Sequence, residues 1–108
     1  VESQLKWPND LLVRDRKLGG ILCEGRWRGS DVSWVAIGVG INVHGPLPVA
    51  LAGRAIPLDE VLPDVSRMDL LVQFVPRLHT LPDESALTDA EQAAFQRYDW
   101  LRGRAVRH

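Results

Sequence analysis

The sequence predicts an α+β protein in which a mainly antiparallel sheet is covered by helices. Residues 1–45 are rich in Gly, Val, Ile and Trp, and their apolar runs are too short for independent helices. Residues 64–101 instead carry apolar side chains at helical spacing. Successive strand candidates are separated by short polar turns, and short connections join antiparallel neighbours. The chain therefore begins as β structure and continues as α structure.

Four segments are predicted as strands, at residues 4–7, 10–13, 17–24 and 32–43, with polar turns at 14–16 and 25–31. In the last strand both alternating sets of side chains are apolar. Trp34 and Ala36 lie in one set, and the other set is Val35, Ile37, Val39 and Ile41. A strand with two apolar faces is usually buried on both. We therefore expect this strand to be covered on both sides, with helices on one of them.

Two helices are predicted from capping boxes, in which a hydroxyl and a carboxylate three residues apart satisfy backbone N–H groups. Ser66 and Asp69 begin the first helix, and Thr88 and Glu91 begin the second. Pro76 is expected to bend or break the first helix, because proline removes a backbone hydrogen bond. The predicted apolar faces are Leu70, Leu71, Phe74, Val75 and Leu78 in the first helix, and Leu87, Ala90, Ala94, Tyr98 and Leu101 in the second.

Two segments lie outside these elements. Residues 45–63 hold four of the seven prolines and predict an irregular connection, in which residues 55–58 fold apolar side chains back onto the sheet. Residues 103–108 are typical of the start of a further strand.

Composition argues against several classes of protein. The 108 residues carry 13 Lys and Arg against 14 Asp and Glu, without a basic run, which disfavours a nucleic-acid or anionic-membrane surface. No apolar stretch approaches the ~18 residues of a transmembrane helix. The one cysteine, Cys23, forms no disulfide within the chain, so a reducing compartment, the cytoplasm, is expected. Because the chain starts at Val1 without a signal peptide, we expect a piece of a longer protein.

A first candidate site is the segment from Lys6 through Trp7 and Pro8 to Asn9 and Asp10. It places a carboxamide and a carboxylate side by side where a strand breaks, although Pro, Asn and Asp all disfavour strands. The alternative interpretation is a turn with an Asx hydrogen bond and a packed tryptophan.

A second candidate site is residues 17–22, where Lys17 stands at the mouth of an apolar strand that contains Gly19 and Gly20. Paired glycines let a ligand or another backbone approach closely. The alternative is a hairpin exit with a bulge and a solvated lysine.

A third candidate site is the strand in which Gly38 and Gly40 alternate before Asn42. A dinucleotide-binding loop would need a glycine at position 43, where Val43 stands, and no helix pattern follows directly. A trough for a flat, mostly apolar ligand fits the residues better. A close strand crossing or a bulge is the alternative.

Other reactive residues give weaker signals. His44, His79 and His108 lack the close paired spacing of metal ligands, so no metal site is assigned. Cys23 is predicted to be a packed thiol rather than a nucleophile.

Taken together and in order, the three segments resemble the biotin protein ligases, also called biotin–acetyl-CoA-carboxylase ligases. That family carries Lys-Trp-Pro-Asn-Asp, a hairpin, Lys-Leu-x-Gly-Ile-Leu and a strand with Gly-x-Gly-Ile-Asn, and this chain has matching residues at 6–10, 17–22 and 38–42. The resemblance implies a catalytic domain of the class II aminoacyl-tRNA synthetase-like type. Residues 1–101 would be the C-terminal part of that domain, and residues 102–108 would begin a small C-terminal barrel.

The resemblance also implies that this domain is incomplete. The family has a Gly/Arg-rich loop that closes over the adenylate, and further strands that hold biotin, before its Trp-Pro-Asn-Asp segment. These features are not in the 108 residues. The chain on its own is therefore expected to be inactive.

The activity that the resemblance implies is joining biotin to ATP and passing the biotinyl group from biotinyl-5'-AMP to a lysine. Lys17, beside Mg²⁺, would supply positive charge where the carboxylate meets the α-phosphate, with Lys6 as a second donor. Asp10 with Asn9 would orient metal or substrate, or take a proton from the incoming amine. The remaining ligand contacts would come from Gly20, Leu22, Gly38 and Gly40, which form the biotin slot, and from Asn42 on the adenine or ribose side.

The acceptor implied by the resemblance is a biotin carboxyl carrier domain, and a homodimer is left open. Two alternatives remain. Lipoate protein ligases share the fold and a related Asn-Asp and lysine arrangement. A non-catalytic remnant would keep the biotin slot without the adenylate loop.

Overall fold

A computed structural model describes residues 2–81 and 87–104, and its centre is a four-stranded antiparallel sheet. The strands are β1 (Ser3–Lys6), β2 (Asp10–Val13), β3 (Arg16–Arg28) and β4 (Asp31–Ile41). Each strand pairs with the next in chain order. The predicted antiparallel meander is therefore confirmed.

The two hairpin turns differ in how well the sequence predicts them. Arg14 and Asp15 form the turn between β2 and β3, and both take the left-handed backbone conformation, with φ of 52° and 60°. The predicted turn at 25–31 is wrong except at its centre. Arg28 pairs with Asp31, so the turn needs only Gly29 and Ser30. The reason is that Trp27, a good strand former, pairs with Val32 and extends the hairpin.

The connection after β4 supplies the centre of the small core. Two 3₁₀ turns, Val49–Leu51 and Leu58–Glu60, interrupt it. Between them Ile56 is fully buried, with 0% of its surface exposed, and its N–H donates to the carbonyl of Lys17 at 3.0 Å. The buried cluster consists of Val13, Leu18, Ile56 and Leu58. The predicted return of residues 55–58 to the sheet is confirmed.

Both helices begin where the capping boxes predict, as α1 (Arg67–His79) and α2 (Asp89–Tyr98). Helix α1 continues through Pro76, so the expected break is wrong. The carbonyl that loses its partner belongs to Val72, which is largely exposed, and water can therefore satisfy it.

The apolar faces of the two helices are only partly covered within the described residues. In α1, Leu70 packs against the buried cluster, whereas Leu71 and Val75 stay exposed. In α2 the predicted face is wrong, because Phe95 rather than Ala94 or Tyr98 turns toward the turn after β1, where its ring meets Trp7. Aromatic burial outweighs the spacing of small alanines in this short helix.

The expected cover on both faces of β4 is also wrong for the described part of the chain. Trp34 and Val35 on opposite faces are both about half exposed, at 49% and 57%. The connection returns to the Lys17 end of the sheet, where Leu70 of α1 packs against the buried cluster. Helix α2 packs against β1, at the edge of the sheet opposite β4. Of the predicted strand at 103–108, residues 105–108 lie outside the described residues, and Gly103 lies in a turn. Among the described helices, none is long and apolar enough to cross a membrane.

Candidate functional site

Strand pairing brings the three candidate segments into one row across the sheet. Asp10 of β2 lies opposite Gly20 of β3, and Gly20 lies opposite Gly40 of β4. Residues directly opposite in an antiparallel pair project from the same face. The carboxylate of the first segment therefore stands beside the glycines of the second and third.

A cavity of about 590 Å³ lies over this row, and we call it the glycine groove. Every predicted site residue except Lys6 lines it. The lining residues are Asn9, Asp10, Lys17, Gly19, Gly20, Ile21, Leu22, Gly38, Val39, Gly40 and Asn42. Sequence reasoning missed Ile21 and Val39, which alternate with the predicted positions. Gly19 was part of the second segment and could have been assigned from it.

A single ion pair marks one end of the glycine groove. The ammonium of Lys17 lies 3.2 Å from a carboxylate oxygen of Asp10, and the two side chains are 53% and 29% exposed. An exposed pair of this kind contributes little to stability and is screened by salt. The Lys17 ammonium can therefore turn from Asp10 to an anionic ligand at small cost.

The backbone of Lys17 is held much more firmly than its side chain. Its N–H donates to the carbonyl of Arg54 at 2.8 Å, and its carbonyl accepts from Ile56. The amide nitrogen of Asn42 also reaches that carbonyl, at 3.4 Å. Strand β3 and the connection thus fix the backbone of Lys17, while its flexible side chain extends into solvent.

The absence of a side chain has a different physical effect at different glycines of the groove. A Cβ at Gly19 would lie 2.1 Å from the carbonyl oxygen of Gly40, so Gly19 permits a close strand crossing. A Cβ at Gly40 would meet no atom within 4 Å, and one at Gly38 would meet only the carbonyl of Leu22 at 3.6 Å. The expected close approach of another backbone is confirmed at Gly19, whereas Gly38 and Gly40 leave open space over the sheet.

The two asparagines occupy opposite walls of the groove. The carbonyl of Asn9 accepts from the N–H of Ile21 at 2.9 Å, which fixes the turn before β2 against β3. Asn42 donates its N–H to Leu18 at 2.8 Å and accepts from Leu58 at 2.7 Å. Both residues are therefore set by backbone bonds at the ends of strands.

Lys6 is the one predicted site residue that the structure places elsewhere. Its ammonium lies 5.1 Å from the centre of the Trp100 ring, at a separation typical of a cation–π contact. It lines a neighbouring cavity of about 420 Å³ together with Phe95. The sequence could not show this contact, because 94 positions separate the two residues in the chain.

Cys23 is exposed, so its predicted packing is wrong. It lies on the part of β3 that the described elements leave uncovered. No group of three or more His, Cys, Asp or Glu side chains within 2–81 and 87–104 could hold a metal ion. His44 lies 3.5 Å from Asp59, away from the other histidines, and His108 lies outside the described residues.

The described residues could bind Mg²⁺ only if substrate and water supplied most of its ligands. The groove offers the carboxylate of Asp10 and the amide oxygens of Asn9 and Asn42, which are the oxygen donors that Mg²⁺ prefers. One carboxylate does not make an all-protein cage. It suffices for an ion whose other ligands are substrate phosphates and water.

Comparison with known proteins shows which family of proteins the chain resembles. Residues 1–42 match the sequence model of the biotin/lipoate A/B protein ligase family. The chloroplastic biotin–protein ligase 1 of Arabidopsis thaliana is 44% identical over 48 residues, which are 44% of this chain and 13% of that ligase. All residues that line the glycine groove fall within the segment matched by the family.

Solved structures extend the similarity from the segment to the fold. The biotin protein ligase from Aquifex aeolicus in complex with biotin and ATP is 30% identical, with a TM-score of 0.58 over 73% of this chain and 33% of that one. A mutant of the same ligase in complex with biotin is 25% identical, with a TM-score of 0.75 over 96% of this chain and 44% of that one. The predicted α+β class is confirmed.

Residues 1–42 are therefore similar to the biotin/lipoate A/B protein ligase family. Within that family the chain is similar to biotin protein ligases, and the resemblance inferred from the three segments is confirmed. The chain spans less than half the length of the ligases that it matches.

The two kinds of groove glycine should respond differently to alanine. We expect Gly19→Ala to lower the free energy of unfolding by about 1–3 kcal/mol, the usual cost of overpacking, because the new Cβ collides with the Gly40 carbonyl. Gly40→Ala should change it by less than about 1 kcal/mol, since its Cβ meets open space. Urea unfolding of the two variants measures the difference. Equal losses would contradict the close crossing at Gly19.

Proposed function

We propose that the protein containing the glycine groove is a ligase that joins biotin to ATP and then biotinylates a carrier-protein lysine. The observation that carries this proposal is the half-exposed ammonium of Lys17, 3.2 Å from Asp10 at the mouth of a groove floored by glycines. The similarity to a ligase solved in complex with biotin and ATP supports it. The chemistry below follows from these residues.

The first step joins two anions. A carboxylate oxygen of biotin attacks the α-phosphorus of ATP, the bond to the β-phosphate oxygen breaks, and pyrophosphate leaves with its electron pair. Negative charge builds up on the oxygens around the α-phosphorus, so fixed positive charge there stabilises the transition state. Lys17 would supply that charge. Its ammonium is exposed, so moving it from Asp10 to the substrate would cost little free energy.

The groove floor would hold the bicyclic ring and aliphatic tail of biotin. Gly20, Gly38 and Gly40 leave the sheet surface free of side chains, and Leu22 adds an apolar wall. Small ligands bind in mostly apolar cavities with a few polar groups that fix their orientation. Asn42, at the Lys17 end of the groove, would hydrogen-bond the adenine or ribose side.

Asp10 would act with Asn9 in one of three ways: holding metal, orienting substrate, or accepting a proton from the incoming amine. In the second step the amine of the acceptor lysine attacks the acyl carbon of biotinyl-5'-AMP. An amide bond forms, AMP leaves, and the amine loses a proton. Mg²⁺, when bound, would neutralise charge on the phosphates, with Asp10 as its one carboxylate ligand.

We assign a biotin carboxyl carrier domain as the acceptor and the cytoplasm as the compartment, which suits a chain with one exposed cysteine. A homodimer is also proposed. Within the described residues β4 pairs with a strand on one side only, and such an edge can pair with a second copy. Sedimentation of the purified protein measures this.

The substrate can be identified by pyrophosphate release. The protein as its gene encodes it should release pyrophosphate from ATP with biotin and not with lipoate, in the presence of Mg²⁺. The 108-residue chain alone should release it at least about a hundredfold more slowly, because an open, water-filled site loses most of its electrostatic stabilisation.

Three outcomes would contradict parts of this proposal. Release with lipoate alone would assign a lipoate ligase. Calorimetric binding of biotin to the encoded protein without turnover would assign a non-catalytic binding protein. Full activity of the 108 residues would show that the chain is complete for catalysis.

Filling the groove floor tests where biotin binds. Gly40→Val should weaken biotin binding by about tenfold or more, because its methyl groups occupy the space over β4 and overpacking costs about 1–3 kcal/mol. Gly25→Val is the matched control, since its Cβ has ordinary contacts with Trp34 and lies outside the groove. Titration calorimetry in the encoded protein measures both. Equal affinities in the two variants would place biotin elsewhere.

Removing the ammonium tests the role of Lys17. Lys17→Ala should slow biotinyl-adenylate formation by roughly 10² to 10³, the usual loss when one donor to a developing anion is removed, with a smaller effect on biotin binding. Lys17→Arg should restore only part of the rate, because a planar fork places its donors differently from an ammonium. Single-turnover measurement isolates this step from transfer.

Arg28→Ala is the control, since it removes a cation from the far end of the same strand. If Lys17→Ala formed the adenylate as fast as the control, Lys17 would be only a solvated turn residue.

A further inference from the structure

The turn that carries Asn9 and Asp10 is contacted from behind by two aromatic residues. The ring of Phe95, on α2, meets the ring of Trp7 edge to face, with centroids 6.3 Å apart and planes at 89°. The ring of Trp100 receives the ammonium of Lys6 at 5.1 Å. Trp7 and Lys6, the two residues before Pro8, are thus each contacted by an aromatic side chain from α2 or from the residues that follow it. We call Phe95 and Trp100 the aromatic brace.

Trp100 is itself fixed at several points. Its backbone N–H donates to Leu5 at 2.8 Å, and its indole N–H donates to a carboxylate oxygen of Asp15 at 2.9 Å. The guanidinium of Arg104 lies 4.1 Å from the ring centre, and its Nε donates to the Trp100 carbonyl at 2.7 Å. The brace therefore joins the turns at both ends of β2.

We propose that Phe95 and Trp100 are positioning residues, which set the place of the Asn9–Asp10 turn relative to Lys17. Because the φ angle of Pro8 is fixed by its ring, the position of Trp7 strongly restricts the position of Asn9. Asn9 in turn accepts from Ile21, and Asp10 pairs with Gly20 and Lys17. This inference rests on the proposed ligase function for its catalytic consequence, but not for its structural one.

The brace is separate from both the groove and the buried cluster. Neither Phe95 nor Trp100 lines the glycine groove. Phe95 lines the neighbouring cavity, which shares Asn9, Asp10, Ile21 and Leu22 with the groove but none of its strand-β4 residues. Neither belongs to the cluster around Ile56. Loss of the brace should therefore shift the turn while the core stays folded.

Amide hydrogen exchange of the encoded protein tests whether the turn keeps its hydrogen bond to β3. In Phe95→Ala the amide of Ile21, which donates to Asn9, should exchange about two- to tenfold faster, the equivalent of one lost aromatic pair. The amide of Ile56, which donates to Lys17, should be unchanged. Trp100→Leu should give the same pattern. Phe74→Ala, which changes the other phenylalanine of the chain, should leave Ile21 unaffected.

Catalysis provides the second measurement. Phe95→Ala should lower kcat for biotinyl-adenylate formation by about ten- to hundredfold, because small misplacements of reacting groups have large effects on rate. The KM for biotin should stay within about twofold, since the groove floor is untouched. Phe95→Tyr keeps the ring edge and should restore the rate.

Unchanged exchange at Ile21 in Phe95→Ala would overturn the proposal, and so would equal acceleration at Ile21 and Ile56, which would indicate general loosening. If the parent protein formed no adenylate, the proposed ligase function would fail. The exchange pattern alone would then decide whether the brace positions the turn.

Discussion

The site depends on one close contact between two backbones. A side chain at Gly19 would overlap the carbonyl of Gly40, so only glycine lets β3 and β4 approach as they do there. That approach aligns Gly20 with Gly40, and the pairing of β2 then adds Asp10 to the same row. The groove is thus a property of backbone spacing, and the side chains at its rim are placed by the register that this spacing sets.

The electrostatics of the site follow from the same arrangement. Backbone hydrogen bonds fix Lys17 where β3 meets the connection, yet its ammonium is half exposed and its only described carboxylate partner, Asp10, is also accessible to water. A buried pair would strongly resist separation, because each charge would be left without a partner in a poorly polarisable medium. An exposed pair is separated at small cost, so in the proposed ligase the ammonium would be free to turn from Asp10 to a phosphate or carboxylate.

Local patterns in the sequence predicted local structure well. Both capping boxes and the bounds of β2 are confirmed by the structure, because each depends on neighbours in the chain. The structure also places the predicted site residues other than Lys6 along one groove, and their roles stay a prediction. The errors concern contacts between distant segments. The partner of Lys6, the inward face of α2 and the exposure of Cys23 depend on which elements cover the sheet. Periodicity records that a face is apolar and does not record what lies against it.

The residues that line the groove and the residues that support it lie in different parts of the chain. Every residue that lines the groove lies between Asn9 and Asn42, inside the segment that matches the family. The later residues contribute differently, since Ile56 and Leu58 seal the core under Lys17 while Phe95 and Trp100 contact the turn from behind. Supporting contacts of this kind require volume and apolar character rather than particular functional groups, and many side chains satisfy them. A groove that depends on the close approach of two backbones requires particular residues, as the need for glycine at position 19 illustrates.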